Sequence, residues 1–523
     1  METDANFLTK EHWQNVGVRH HHGICLHLGS LRTQQSCGIG EYLDLIPLLE
    51  WLSSTGFDLI QLLPLQDTGH DPSPYMAKSA YALHPIYLSL RALPRVHQVP
   101  GLASLLDELT VLNTTDRVQY HTVLEKKLSA ISLYLDHQLH SIEDDPLYQV
   151  FIRKHRDWLL PYALFCTLKD QHHGWAWWDW SIDSKSFDLS EHPQAHLEES
   201  VRRWQAVQFL CFQQLHKVKT VADNLKMLLK GDIPILLNQD SADVWWHPEL
   251  FTSTRVAGAP PDMYNKEGQY WGFPLFNWNQ HIKEHFAWWK GRLRTQSQFY
   301  HIFRLDHIVG FYRLWAIPPG KKPKDGEFVP KLQSEWKKLG EDILKALIES
   351  THMLPIGEDL GDIPELTRTS MHDLGIPGLK VLRWERRWKQ DQSFIPPTTF
   401  SPESLSTLST HDSSTICSWW KEEPAASKKM AHDYGLAWKP CLSNSLLTQL
   451  LRIAHTSGSL FHVNLFQEYL SLFPELSWND PSFDRINVPG TISDANWTFR
   501  FRSSIEEMSN HLPLASMLRY FSS

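Results

Sequence analysis

Phe303-Arg304-Leu305-Asp306-His307 alternates apolar and charged residues. Successive side chains of an extended strand point to opposite faces, so Arg304 and Asp306 share one face while Leu305 takes the other. A guanidinium beside a carboxylate holds it ionised and aims it. An acid at the end of a strand candidate returns at Ile356-Gly357-Glu358-Asp359-Leu360 and at Ser409-Thr410-His411-Asp412. Working outward, short apolar runs occupy residues 24–28, 59–63, 233–237, 302–305, 354–357, 379–382, 405–409 and 460–464, with amphipathic segments such as 42–52 and 341–348 between them. That alternation predicts βα units around a parallel sheet, and eight units predict an α/β fold of the (β/α)8 TIM-barrel type. Such a barrel takes ~250 residues. The chain has 523, so large, mainly helical insertions are expected. The longest spans residues 86–200 and reads as an inserted lid subdomain, continued by a helix with Val201, Trp204, Val207, Cys211 and Leu215 at helical spacing. Residues 1–20 read as an N-terminal extension, residues 21–523 as the barrel, and the Pro- and Lys-rich stretch 318–326 as exposed loop.

Lys and Arg number 50 against 59 Asp and Glu, a net charge of −9 with no long block of one sign. That balance argues against nucleic acid or an anionic membrane as partner and favours a neutral ligand. No apolar run approaches the ~18 residues of a membrane helix. The start, Met1-Glu2-Thr3-Asp4-Ala5-Asn6, has neither the basic nor the apolar part of an export signal, so a cytoplasmic location is expected. Cys25, Cys37, Cys166, Cys211, Cys417 and Cys441 are scattered without a C-x-x-C pair and read as reduced thiols. The 23 tryptophans stand out, because flat rings serve as binding platforms for sugars.

In a TIM barrel the reactive groups stand at the C-terminal ends of the strands. Asp306, Glu358 and Asp412 hold that place on three strands, and alternation lets only one of Glu358 and Asp359 face the reaction. Retaining glycoside chemistry needs such carboxylates: an ionised one to attack the anomeric carbon and a protonated one about 5 Å away to donate to the leaving oxygen. A third can bind sugar hydroxyls as the ring flattens. The interval from Glu358 to Asp412 fits two βα units of a ~250-residue barrel.

From about His22 to Arg502 the sequence resembles the amylomaltase family, the 4-α-glucanotransferases related to the α-amylase clan. The segments that carry the resemblance are Gly23-Ile24-Cys25-Leu26-His27, Gly38-Ile39-Gly40, Gln61-Leu62-Leu63-Pro64-Leu65, Ser73-Pro74-Tyr75, Gly231-Asp232-Ile233-Pro234-Ile235 and Asp240-Ser241-Ala242-Asp243-Val244-Trp245. They continue with Ala257-Gly258-Ala259-Pro260-Pro261-Asp262, Gly268-Gln269-Tyr270-Trp271-Gly272, Arg304-Leu305-Asp306-His307, Gly357-Glu358-Asp359-Leu360-Gly361, Thr410-His411-Asp412 and Arg485-Ile486-Asn487-Val488-Pro489-Gly490. The resemblance implies a nucleophile at Asp306, a general acid/base at Glu358 and a transition-state stabiliser at Asp412. It implies sugar- or nucleophile-holding roles for Arg304, His307 and His411, an acid beside the cleavage subsite at Asp240, and glucose-contacting rings at Tyr75 and Trp271. Phe273, Ser413 and Ser414 depart from the family's commoner residues at acceptor-side positions. With Tyr81-Ala82-Leu83-His84-Pro85 and Asp306-His307-Ile308-Val309-Gly310-Phe311 they place the chain nearer the plant cytosolic disproportionating branch, without that branch's appended starch-binding modules.

The expected activity is transfer of α-1,4-glucan or glucosyl units between maltooligosaccharides, with glycogen as a further acceptor. The alternatives are an amylase-like hydrolase with the same triad and a non-catalytic glucan-binding protein. No Gly-rich phosphate loop and no compact ligand set occurs, so neither a metal nor an organic cofactor is expected. His20-His21-His22 reads as a solvated tract rather than a metal site, and Trp175, Trp177, Trp178 and Trp180 as a hydrophobic clasp or a sugar platform.

Overall fold

Eight short strands, buried almost throughout, form the centre: β1 (His21–Leu26), β2 (Leu59–Leu62), β3 (Leu228–Ile233), β4 (Ile302–Leu305), β5 (Leu354–Gly357), β6 (Gly378–Val381), β7 (Ser404–Thr407) and β8 (Phe461–Leu465). The computed structural model describes residues 7–180, 197–261 and 266–523; Asp262 of the motif above, residues 1–6 and residues 181–196 of the insertion lie outside them. All neighbouring strands of the sheet pair in parallel, in the order β6-β7-β8-β1-β2-β3-β4-β5. The Gly357 N–H donates to the Pro377 carbonyl at 2.8 Å and so joins the two ends of the row into a TIM barrel.

The strands at 302–305 and 354–357 stand at the expected residues, whereas β3 begins five residues before the apolar run 233–237. The reason is a polar barrel interior. Lys230 and Asp232 alternate inward, and both are met by partners: Lys230 Nζ donates to Gln61 Oε1 at 2.7 Å and Asp232 pairs with Arg304. Gly231 faces the other way, where a Cβ would stand 2.5 Å from the Tyr300 ring. Only glycine allows the strand and that ring to approach so closely.

Amphipathic helices supply the outer layer. In Gln333–Ile348 the buried residues Trp336, Gly340, Ile343, Leu344 and Leu347 recur at the three- and four-residue spacing of one helical face. Between β2 and β3 the described residues form the helices Leu102–Val111, Tyr120–Glu143, Pro146–Gln171 and Glu198–Asn224. A feature absent from the sequence reading is a second, antiparallel sheet of Phe251–Ala259, Gln269–Phe276, Leu314–Ile317 and Glu327–Val329, which arises from the connections after β3 and β4. The stretch 318–326, expected as exposed loop, is the connection between two of its strands, Leu314–Ile317 and Glu327–Val329. No helix among the described residues is long and apolar enough to cross a membrane.

The tract His20-His21-His22, expected to be solvated, instead runs into β1 with His21 buried and His22 half-buried, and at this end, opposite the strand C-termini, His20, His22, His455 and His462 gather. His22 Nδ1 lies 2.8 Å from His455 Nδ1, His20 Nδ1 lies 3.0 Å from His462 Nε2, and the His22 and His462 rings stack at 5.0 Å. Burial pushes His22 down to about 4 and His462 to about 3, helped by the neighbouring imidazoles and, at His22, by Arg452, with Asp58 opposing. Burial also holds His455 well below its ordinary value. These rings stay neutral in the folded chain and protonate near 6.5 once it unfolds, so the unfolded state binds more protons between those limits. Melting temperature is therefore expected to be steady above pH 6.5 and to fall steeply as pH drops towards 4. A profile flat across that window would contradict it.

Candidate active site

The register β3–β4 sets Asp232 beside Arg304, and β4–β5 sets Leu305 beside Gly357. Both pairings lie at the C-terminal ends of their strands and bring the acids together. Arg304 Nη1 lies 2.9 Å from both Asp232 oxygens and 2.7 Å from Asp306 Oδ1, and its Nη2 lies 3.7 Å from Glu358 Oε2. One buried guanidinium therefore serves three carboxylates, and among them Asp306 has the single shortest contact.

Glu358 is held by backbone. The N–H of Leu360 donates to Oε1 and that of His307 to Oε2, each at 2.9 Å. His307 takes the left-handed conformation at φ 47°, a strained choice for a residue with a Cβ, at the turn that presents this N–H. Asp359 leaves the site: its carboxylate accepts from the Leu379 N–H at 2.8 Å and from Arg368 Nε at 3.3 Å. Strand alternation separates the pair as expected.

Burial raises Asp306 to about 6, against the pull of Arg304 and with Asp232 and Glu358 adding to the rise. Burial raises Glu358 as well, opposed by Arg304 and its two N–H donors. Two buried acids sharing one cation cannot both ionise readily. The shorter contact to Arg304 favours the charge on Asp306 over Glu358. Below them, burial and Arg304 lower the Lys230 amine to about 7.

Asp412 stands across the cleft with its side chain 46% exposed, against 23% for Asp306 and 12% for Glu358, so it meets the open side. Although burial acts to raise it, His411 Nε2 at 3.2 Å and Asn487 Nδ2, donating at 2.7 Å, bring it down to about 2. Tyr75 links the two sides: its hydroxyl donates to Asp232 Oδ2 at 2.7 Å and lies 3.0 Å from His411 Nε2, and its ring stacks on that imidazole at 5.4 Å. Trp271, on the antiparallel sheet, meets the His307 ring edge to face at 5.1 Å. The next residue, Gly272, has φ 78°, a left-handed kink inside the strand that glycine permits.

The structure thus gathers Tyr75, Trp271, Arg304, Asp306, His307, Glu358, His411 and Asp412. Asp240 engages the helical insertion instead, through Lys169 Nζ at 2.5 Å and the Trp177 N–H at 3.2 Å. Of the departing residues, Ser413 Oγ accepts from Arg383, whose Nη2 also donates to the Ser414 carbonyl at 2.5 Å, and Phe273 packs against the core. Sequence reasoning missed Asp232 and Asn487 as site residues, though both lie inside quoted motifs. The signal for Asp232 is Lys230-Gly231-Asp232, polar residues two apart within an otherwise apolar stretch. Among the described residues no group of three or more His, Cys, Asp or Glu side chains is arranged to hold a metal ion.

Two comparisons bear on sequence and one on shape. The family described as 4-alpha-glucanotransferase matches residues 26–506. A 4-alpha-glucanotransferase of Chlamydia pneumoniae is 43% identical over 504 residues, which is 95% of this chain and 94% of the relative. The rice 4-alpha-glucanotransferase DPE2 is 34% identical over 310 residues, 57% of this chain and 32% of the plant protein. In shape, the amylomaltase from Streptococcus agalactiae in complex with acarbose superposes with a TM-score of 0.80 at 22% identity, covering 97% of this chain and 99% of that one, which supports the fold. A family match spanning the barrel, and a close relative covered nearly end to end, show that the chain belongs to the 4-alpha-glucanotransferase family.

Proposed function

We propose that the chain transfers glucan segments between short maltooligosaccharides by double displacement, with glycogen as a further acceptor. Asp306 attacks the anomeric carbon. As its oxygen bonds to that carbon, the glycosidic C–O bond breaks and Glu358 gives its proton to the departing oxygen. The acceptor's 4-hydroxyl then enters: Glu358 takes its proton, the new C–O bond forms, and the Asp306 carboxylate leaves. Arg304 and His307 hold the nucleophile side, while Asp412, His411 and Tyr75 bind hydroxyls of the ring as it flattens. Trp271 provides an apolar face for a glucose unit.

The observation that carries this reading is the unequal sharing of Arg304, 2.7 Å from Asp306 and 3.7 Å from Glu358. It supplies one charged and one protonated acid from two similar groups. The described part of the insertion, residues 86–180 and 197–200, serves as a lid at the strand C-termini, a role supported by the bonds from Lys169 and Trp177 to Asp240. A cytoplasmic location is supported by six free cysteines, none paired as a disulfide.

Maltotriose separates transfer from hydrolysis. The expected product is a ladder of shorter and longer oligomers, formed without glycogen and shifted onto the polymer when glycogen is added. Mainly glucose and maltose would mean a hydrolase, and a strict need for glycogen would overturn the short-oligomer part. In this mechanism residues supply both nucleophile and proton, so the ladder is expected to survive prolonged chelation. Loss of activity that one added ion restores would contradict that expectation.

A further inference from the structure

The tryptophan run Trp175, Trp177, Trp178 and Trp180 divides into two functions. Trp180 is 3% exposed and packs on Phe165 at 5.5 Å, on Trp245 at 5.8 Å and in a stack with His172 at 5.6 Å. It is a clasp that fixes the segment. Trp175 and Trp178, in contrast, are 61% and 41% exposed. Indole is among the most favourable side chains to bury, so two such rings kept at the surface within four residues mark a site that something else covers.

The backbone that presents them is fixed. The helix Pro146–Gln171 ends, and His173 and Gly174, at φ 52° and 81°, turn the chain back in left-handed conformation. Lys169 Nζ donates to the Gly174 and Trp175 carbonyls at 2.8 and 3.0 Å, and Trp180 Nε1 donates to the Trp175 carbonyl at 3.0 Å. Trp177 Nε1 donates to the Gln239 carbonyl at 2.9 Å, and the Trp177 and Trp178 rings meet at 5.7 Å and 76°. A platform held in this way binds without first paying to order itself.

Its place and its charge indicate the ligand. The loop that anchors it, around Gln239 and Asp240, is bonded to the loop carrying Tyr75: the Asn238 N–H donates to the Ala77 carbonyl at 3.4 Å and the Ala242 N–H to the Lys78 carbonyl at 2.8 Å. The platform therefore continues the face on which the acids open, while its rings make none of the bonds that hold Asp306, Glu358 or Asp412. The nearby Lys169 and Asp240 neutralise each other at 2.5 Å, so the cation that anchors the segment is already satisfied and is not held out for an anionic ligand. Glucose units are neutral and present C–H faces that lie flat on an indole.

We propose that Trp175 and Trp178 form a second glucan-holding surface, separate from the cleavage site, which takes the unreacting outer chains of a branched α-1,4-glucan. The assignment rests on the α-glucan reading above. It adds that the polymer is captured at the rim and its chain ends are thereby concentrated at the cleft.

Affinity electrophoresis of the full chain in gels with and without glycogen tests it, because retardation reads binding and not turnover. Parent and variant both carry Asp306→Asn so that neither remodels the polymer. The double variant Trp175→Ala/Trp178→Ala is expected to be retarded with about tenfold lower affinity, the equivalent of ~1.4 kcal/mol, with an unchanged melting temperature. If the double variant melts early, Trp175→Gln alone, altering the more exposed ring, is expected to weaken retardation while Trp175→Tyr retains most of it. Equal retardation of parent and folded variant, or no retardation of the parent, would overturn the proposal. The transfer reading is read separately, in the chain with Asp306 intact: no maltotriose ladder from that chain, beside retardation that the double variant loses, would overturn the transfer reading and leave this surface standing.

Discussion

Asp306→Asn is expected to remove transfer on the order of 10⁴-fold or more, since a carboxamide cannot form the glycosyl ester on which the second displacement depends. Shape and volume are nearly unchanged, and the fold should survive for a reason visible in the site. Arg304 keeps both 2.9 Å contacts to Asp232 when its contact to residue 306 loses charge, so no unpaired buried cation is left behind. The substitution also relieves the mutual repulsion of Asp306, Asp232 and Glu358 that, with burial, raises the Asp306 pKa. A melting temperature close to that of the parent, together with loss of the maltotriose ladder, is the expected pair of results. Parent-like turnover in the purified variant would remove Asp306 from the mechanism.

Glu358→Gln should behave differently according to the leaving group. With maltotriose the departing oxygen needs a proton, and loss of the acid is expected to cost about 10²- to 10⁴-fold. An α-maltosyl fluoride departs as fluoride without that proton, so the first displacement should proceed and release a burst of fluoride equal to the enzyme. The second displacement then stalls, because no base takes the acceptor's proton. The two N–H donors from Leu360 and His307 can meet the amide oxygen at one position only, so a modest loss of stability accompanies the change. If fluoride release is slowed as much as maltotriose turnover, Glu358 does more than donate a proton.

The parts of this molecule that sequence made legible are those where local chemistry and tertiary role agree. Strands β4 and β5 are short, largely apolar runs each followed directly by an acid, which marks their boundaries, and the orientation of Arg304 with Asp306 follows from alternation. The same rule separated Glu358 from Asp359. Strand β3 was placed five residues late because apolarity marks burial only where the partner surface is apolar, and Lys230 and Asp232 point into an interior that supplies Gln61 and Arg304. The antiparallel sheet was missed for a related reason. Its strands carry Gly258, Gly272 and Pro274 and bury one side unevenly, which reads as loop. Asn487 is far from Asp412 in sequence and meets it only because the chain after β8 returns to the cleft, a long-range contact that no local pattern encodes. Asp240 shows the converse. Its motif places it with the sugar-binding acids, while its carboxylate is engaged by Lys169 and the Trp177 N–H of the insertion.

The central claim is that the chain holds the transferred sugar covalently on Asp306, and mass spectrometry of Glu358→Gln after brief exposure to the glycosyl fluoride tests it most directly. The expected result is a protein heavier by one glycosyl unit, with the added mass located on the peptide bearing Asp306. An unmodified protein after fluoride has been released, or a label carried by Asp412 or another residue, would contradict the account.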